Sequence, residues 1–306
     1  MENRDRSDDP KAAPSWPFQA SEEFPPPSAR VRVTFGAESR PGPGRAVNAD
    51  HYAIVEMGRH LEMLFTSLPK GSLPARFDEY GYGMAVADGF GVEEEGEEAS
   101  RLALGTLVQL ILRFGKWNLR VDADIAREII DRARSFYRRI DGTVLQRGLG
   151  TDPGLETTLT AAFGAGRDLF FAHVGHSRAY LSRAGALMCL THDHTLLGSQ
   201  SRRSSVVPLV DVDAATRDVR HIMTDTIGMG ARGGPSIDVY QIRVDEDDRV
   251  LLCTNGLTDV VDEETIGKIL SAEHSPEEQS RLLIDAAASD AVDDATVLVA
   301  RFRMPD

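Results

Sequence analysis

Cysteine is scarce in this chain: 306 residues hold two, Cys189 and Cys253. Two cannot build a disulfide framework, and each lies in an apolar strand-like run, so both are read as small buried hydrophobes in a reducing compartment. The opening Met-Glu-Asn-Arg-Asp-Arg-Ser-Asp-Asp lacks the apolar core of a secretory signal. No apolar run approaches the ~18 residues of a membrane span, which argues against a membrane partner. Positive charge is also short. Lys and Arg number 34 against 48 Asp and Glu, a formal net charge of −14. Nucleic-acid backbones need a basic face, so they are excluded as partners. These absences predict a cytoplasmic protein whose carboxylates attract cations.

A hydrophobic content of 42% supplies a sizeable core. Residues 1–29 are rich in Pro, Ser, Asp and Glu and include Pro25-Pro26-Pro27, a composition that predicts a disordered tail. Order is expected from residue 30 onward as one domain over 30–306, opening with the alternation of Val31, Val33 and Phe35. Strands are predicted at 51–57 and 83–87, then helices at about 94–114 and 123–145. Short turns separate strands at 157–163, 168–174, 179–182 and 187–190, which read as an antiparallel meander. Strands follow at 237–244 and 249–253, a helix near 263–271, and a last strand at 295–302. Another helix opens at Ser275-Pro276-Glu277-Glu278, with an N-cap serine, proline at N1 and glutamate at N3. Strands and helices in separate runs predict α+β with mainly antiparallel sheets.

Five short segments stand at or beside the ends of these strands. They are Arg45-Ala46-Val47-Asn48-Ala49-Asp50, Asp88-Gly89-Phe90-Gly91, Gly175-His176-Ser177-Arg178, Thr254-Asn255-Gly256-Leu257-Thr258-Asp259 and Asp293-Asp294-Ala295-Thr296. Taken singly each is weak, because Asp-Gly is a turn dipeptide and a lone Asp is a cap or a solvated charge. Gathered at strand ends, carboxylates are what a hard divalent cation needs.

With Leu190-Thr191-His192-Asp193-His194 added, the blocks fall in an order that resembles the PPM family, the metal-dependent protein serine/threonine phosphatases of type 2C. The resemblance runs from about Val31 to Arg303. It implies two packed, mainly antiparallel sheets flanked by helices on both sides, a four-layer α-β-β-α sandwich. It also implies two Mn²⁺ or Mg²⁺ ions roughly 4 Å apart and phosphoester hydrolysis by a metal-bound hydroxide. Asp88 looks like the carboxylate shared by both ions, and the Gly89 carbonyl like a further ligand. Asp293 matches a ligand of the first ion and Asp50 a ligand of the second, direct or through water. Arg45 matches a phosphate clamp, a role suited to its planar fork.

Four positions depart from the family pattern. Asn255 stands where the family has aspartate, keeping one oxygen without charge and predicting a first ion weakened by at least the roughly 10–100-fold that loss of an outer-shell partner costs. His176 replaces an aspartate associated with a third, looser ion and is expected to remove that site. Asp294 stands where asparagine is usual, and Glu156 replaces a glycine as either a loop change or a stray carboxylate. Phe90 cannot protonate a leaving group as a histidine could, which leaves water as the acid. Zinc is not expected: His173 and His176, three apart on a strand, face opposite ways, and His192 and His194 share a face only if that segment is extended.

The leading expectation is a phosphatase of phosphoserine and phosphothreonine in a protein partner, a kinase or its target. A second reading is a weak or inactive phosphatase-like module that binds a phosphoprotein or kinase. A third is a phosphatase of a small phosphorylated metabolite. A substrate-choosing flap is expected near 194–231.

Overall fold

The structure, a computed structural model, describes residues 31–69, 72, 76–91, 93–116, 121–150, 154–198, 222–230, 233–288 and 290–304. The tail at 1–29 and most of the expected flap, 199–221, lie outside the described residues.

Two antiparallel sheets form the centre. The first has the order β1-β11-β10-β7-β8, built from β1 (Arg32–Arg40), β7 (Arg178–Arg183), β8 (Ala186–Cys189), β10 (Arg249–Cys253) and β11 (Ala295–Arg303). The second has the order β2-β3-β5-β6-β9, with β4 (Glu156–Thr157) paired to the end of β3. Its strands are β2 (Asp50–Glu62), β3 (Arg76–Phe90), β5 (Leu159–Ala165), β6 (Asp168–Val174) and β9 (Asp238–Arg243). Helices α1 (Glu93–Phe114) and α2 (Ala123–Arg147) cover the outer face of the second sheet. Helices α4 (Glu263–Ser271) and α5 (Pro276–Ala287) cover the first, and a short α3 (Asn255–Thr258) follows β10.

Three apolar layers hold this sandwich together. Val86, Phe171, Leu181, Leu252 and Leu298 fill the space between the sheets. Leu104, Leu107, Phe136 and Ile140 pack α1 and α2 onto the second sheet. Leu251, Val297, Val299, Ile266 and Leu283 pack the first sheet under α4 and α5. All of β10 is buried because successive residues alternate between two cores, Val250 and Leu252 inward and Leu251 and Cys253 toward the helices. The predicted cap of α5 forms as read, with the Ser275 side chain accepting from the Glu278 N–H. No helix among the described residues is long and apolar enough to cross a membrane.

Two sequence readings are corrected. The four strands after the helices are not one meander: β5 pairs with β6 in one sheet, and β7 with β8 in the other. The chain changes sheets at Gly175, whose φ of +115° is a left-handed conformation that glycine tolerates. Cys189 is exposed rather than buried, at the last residue of β8; both thiols are free.

Candidate metal centre

The acidic segments meet at one end of the sandwich. Asp50 opens β2 and Asp88 stands near the end of β3, where the two are direct cross-strand partners. Asn48 sets this start: its Oδ1 accepts from the Asp50 N–H at 2.9 Å, and its Nδ2 donates to Ser39 Oγ at 2.9 Å. Across β4 and β5, Thr158 Oγ1 accepts from the Asp88 N–H at 3.0 Å, while Thr157 Oγ1 and the Thr158 N–H each donate to the Asp88 carbonyl at 2.8 Å. The backbone of Asp88 is thus held on both sides.

Gly89 follows because α1 crosses too closely for a side chain. A Cβ there would lie 1.9 Å from the Gly96 carbonyl oxygen, and a Cβ on Gly96 would lie 2.8 Å from the Gly89 oxygen. From the other sheet, Thr254 Oγ1 donates to Asp50 Oδ2 at 2.7 Å and accepts from the Thr296 N–H at 2.9 Å. Asn255 then begins α3, and a Cβ on Gly256 would lie 2.0 Å from the Asp294 carbonyl oxygen. Asn255 is therefore pinned between the Asp50 and Asp294 segments.

Asp293 and Asp294 have different work. Asp293 Oδ1 accepts from Arg45 Nη2 at 2.6 Å and from the Asp294 N–H at 2.8 Å, and a third of its side chain is exposed. Asp294 is buried and points into the Gly42–Ala49 loop, accepting from the Gly42 and Ala49 N–H groups at 2.7 Å each and from Arg45 Nη1 at 3.3 Å. It clamps the loop that carries Arg45. Glu156 is no stray charge: it pairs with Phe90 in register and accepts from Thr226 Oγ1 at 2.6 Å. His173 is a satisfied core residue, bonded to Thr160 Oγ1 at 2.8 Å and to the His192 carbonyl at 3.1 Å.

What is left over is chemically specific. Asp50 Oδ1, Asp88 Oδ2 and Asn255 Oδ1 are buried and have no hydrogen-bond partner. Burial raises Asp88 well above the usual carboxylate range, with repulsion from Asp50, Asp293 and Asp294 adding to it. Burial likewise pushes Asp50 up to about 8 against the hydrogen bonds from Thr254 and Thr296. Buried acceptors without donors are costly, and a divalent cation with oxygen ligands would satisfy them. Among the described residues no three His, Cys, Asp or Glu side chains are grouped closely enough to hold an ion by themselves. The Asn255 oxygen, backbone carbonyls and water would have to complete a shell, as hard cations accept.

His176 arrives at this cluster on the crossover between β6 and β7, anchored by the adjacent Ser177, whose Oγ lies 2.8 Å from Thr158 Oγ1. Its Nδ1 is 3.8 Å from Asp88 Oδ2, and its ring lies 5.2 Å from that of Phe90. Sequence reasoning missed Thr254, Thr157 and Asn48 as supports. Thr254 sat within a quoted block, but nothing in the sequence shows where its hydroxyl points.

A sandwich of two antiparallel sheets between helices, with carboxylates converging from both sheets at one end, is the fold of the PPM-type phosphatases. Residues 206–303 match the family profile of Stage II sporulation protein E (SpoIIE). The serine/threonine protein phosphatase PstP of Mycobacterium tuberculosis is 30% identical over 220 residues, 71% of this chain and 40% of the relative. The serine/threonine phosphatase stp of Listeria monocytogenes is 28% identical over 217 residues, 70% of this chain and 82% of the relative. The serine/threonine phosphatase of S. agalactiae superposes with a TM-score of 0.70 at 22% identity, covering 88% of this chain and 99% of that one. The PstP catalytic domain, solved in complex with two manganese ions, gives 0.62 at 26% identity, covering 89% and 99%. The chain shares the sandwich fold of the PPM serine/threonine phosphatases and is similar to them in sequence. It spans 40% of the length of the PstP relatives it matches.

Proposed function

We propose that this chain is a Mn²⁺- or Mg²⁺-dependent protein phosphatase acting on phosphoserine and phosphothreonine, with residues 30–306 as its catalytic domain. The observation that carries this reading is the set of three unpartnered, buried acceptors on Asp50, Asp88 and Asn255, delivered by β2, β3 and α3. The names of the relatives, serine/threonine phosphatases, and the two manganese ions in PstP support it.

Divalent ions bound there supply positive charge for the phosphoryl oxygens and an activated water. Asp50, Asp88, Asp293, Asn255 and the Gly89 carbonyl are the groups that would hold them. The remaining roles fall to this chain's own side chains. Arg45 is about a third exposed, so its guanidinium is within reach of a phosphate from solvent. Asp294 and the loop it clamps fix where that guanidinium starts. Phe90 offers no proton, so the leaving alkoxide takes its proton from water.

A second reading, a phosphatase-like module that binds a phosphoprotein or kinase without turnover, is favoured by Asn255, whose Nδ2 donates to Asp259 Oδ2 at 3.1 Å. Single-turnover assays on a phosphothreonine peptide separate the two. Metal-dependent phosphate release that is lost in Asp88→Ala supports the enzyme. Peptide binding that survives Asp88→Ala, with no release at any metal concentration, supports the module.

A further inference from the structure

We propose that His176 is a nitrogen ligand of the metal centre, sharing one divalent ion with Asp88. This rests on reading the carboxylate cluster as a divalent-metal site. It reverses the sequence expectation that His176 removes a metal position.

Geometry carries the assignment. His176 Nδ1 and Asp88 Oδ2 belong to side chains 5% and 9% exposed, and the two atoms stand 3.8 Å apart. That gap is too long for a hydrogen bond. Two donors each about 2.1 Å from a common ion can be separated by no more than about 4.2 Å, so 3.8 Å fits a shared ion. Asp88 Oδ2 accepts no hydrogen bond from the protein, so an ion there displaces nothing from it.

The surroundings fix the imidazole rather than leave it free to swing. Gly175, with φ +115°, lies against Thr158, where a Cβ would come within 2.4 Å of Cγ2. Ser177 on the other side bonds Thr158 Oγ1 at 2.8 Å, and Thr158 also holds the Asp88 N–H at 3.0 Å. One threonine therefore sets the position of both proposed ligands. Phe90 packs its ring against His176 at 5.2 Å with a tilt of 55°, which gives the phenylalanine a function. It orients the imidazole face.

The chemical consequence is selectivity. Mg²⁺ prefers oxygen and holds its water tightly, whereas imidazole suits first-row transition ions. Asn255 and His176 each remove a negative charge relative to the family's aspartate, which weakens the field that a hard ion needs. The centre therefore favours Mn²⁺, or another first-row divalent ion, over Mg²⁺.

Electron spin-echo envelope modulation of the Mn²⁺-loaded full chain tests this without relying on activity. The expected spectrum carries ¹⁴N modulation from a directly bound imidazole. That modulation changes to the ¹⁵N pattern when only histidine is ¹⁵N-labelled, and it disappears in His176→Asp. Histidine labelling keeps the wild-type sequence, so a variant that folds poorly does not decide the outcome. Competition should show the Mn²⁺-over-Mg²⁺ preference falling about tenfold or more in His176→Asp. Bound Mn²⁺ without ¹⁴N modulation, or modulation unchanged in His176→Asp, overturns the proposal and leaves the phosphatase reading standing. Histidine modulation in a protein that hydrolyses no phosphoester sustains the proposal and overturns that reading. No Mn²⁺ binding overturns both.

Discussion

Arg45 and Asp293 form an ion pair, with Nη2 of one 2.6 Å from Oδ1 of the other. The residue proposed to clamp phosphate thus neutralises a residue proposed to hold metal. An ion held by Asp293 would compete with the guanidinium for that carboxylate, and Arg45 would then be free to meet a phosphate. An ion pair of this exposure is worth up to ~1 kcal/mol. Arg45→Ala is therefore expected to tighten Mn²⁺ binding by about fivefold in calorimetry. The same variant should lower kcat/KM on a phosphopeptide by roughly 10–100-fold, the loss of one charge-assisted hydrogen bond.

Asp294 is a structural clamp rather than a ligand, because both its oxygens are taken by the Gly42 and Ala49 N–H groups and by Arg45. Asp294→Ala leaves two buried donors unsatisfied, at a cost of about 1–3 kcal/mol each. Urea unfolding of the metal-free protein should show a destabilisation of roughly 3 kcal/mol. Asp294→Asn, which keeps one acceptor, should fall between the two.

Stability should depend on pH in a way that metal reverses. In the folded chain Asp50 holds its proton up to about 8, whereas an unfolded aspartate loses it near 3.9. Folding therefore takes up a proton between those values, and stability falls as pH rises. His173 acts oppositely: burial lowers it to about 3 from 6.5, so its contribution is lost as pH drops below 6.5. The two oppose each other from about 4 to 6.5, and above that only the carboxylates act. From pH 6.5 to 8 the metal-free protein is expected to lose of order 1–2 kcal/mol. Thermal melts with chelator should show this slope, reduced in Asp50→Asn and abolished by saturating Mn²⁺.

Restoring the charge at position 255 should strengthen the centre. The buried Asn255 Oδ1 has no partner, while its Nδ2 is bound to Asp259. Asn255→Asp is expected to lower the Mn²⁺ concentration for half-maximal activity by about 10–100-fold. Part of that gain will be offset by repulsion from Asp259, so Asn255→Asp with Asp259→Asn should bind more tightly still.

Much of the architecture was readable because it rests on local periodicity. The methyl stripes of α1 and α2, the N-cap of α5 and the apolar runs of β10 and β11 were all placed to within a few residues. Sheet membership was not. Short turns require antiparallel neighbours only when the strands stay in one sheet, and nothing before Gly175 announces that β7 leaves. Of the site, Arg45, Asp50, Asp88, Asn255 and Asp293 do converge. The division of labour between Asp293 and Asp294 depends on which backbone amides a loop presents, and periodicity carries no trace of that. Thr158 is invisible for the same reason, although it positions both Asp88 and Ser177.

The most direct measurement is hydrolysis of p-nitrophenyl phosphate across a Mn²⁺ titration, with Asp88→Ala beside the wild type. Turnover that starts from zero without metal, saturates with Mn²⁺ and drops at least ~10²-fold in Asp88→Ala is the predicted result. A wild type inert at every Mn²⁺ concentration, or one whose activity survives Asp88→Ala, would contradict it.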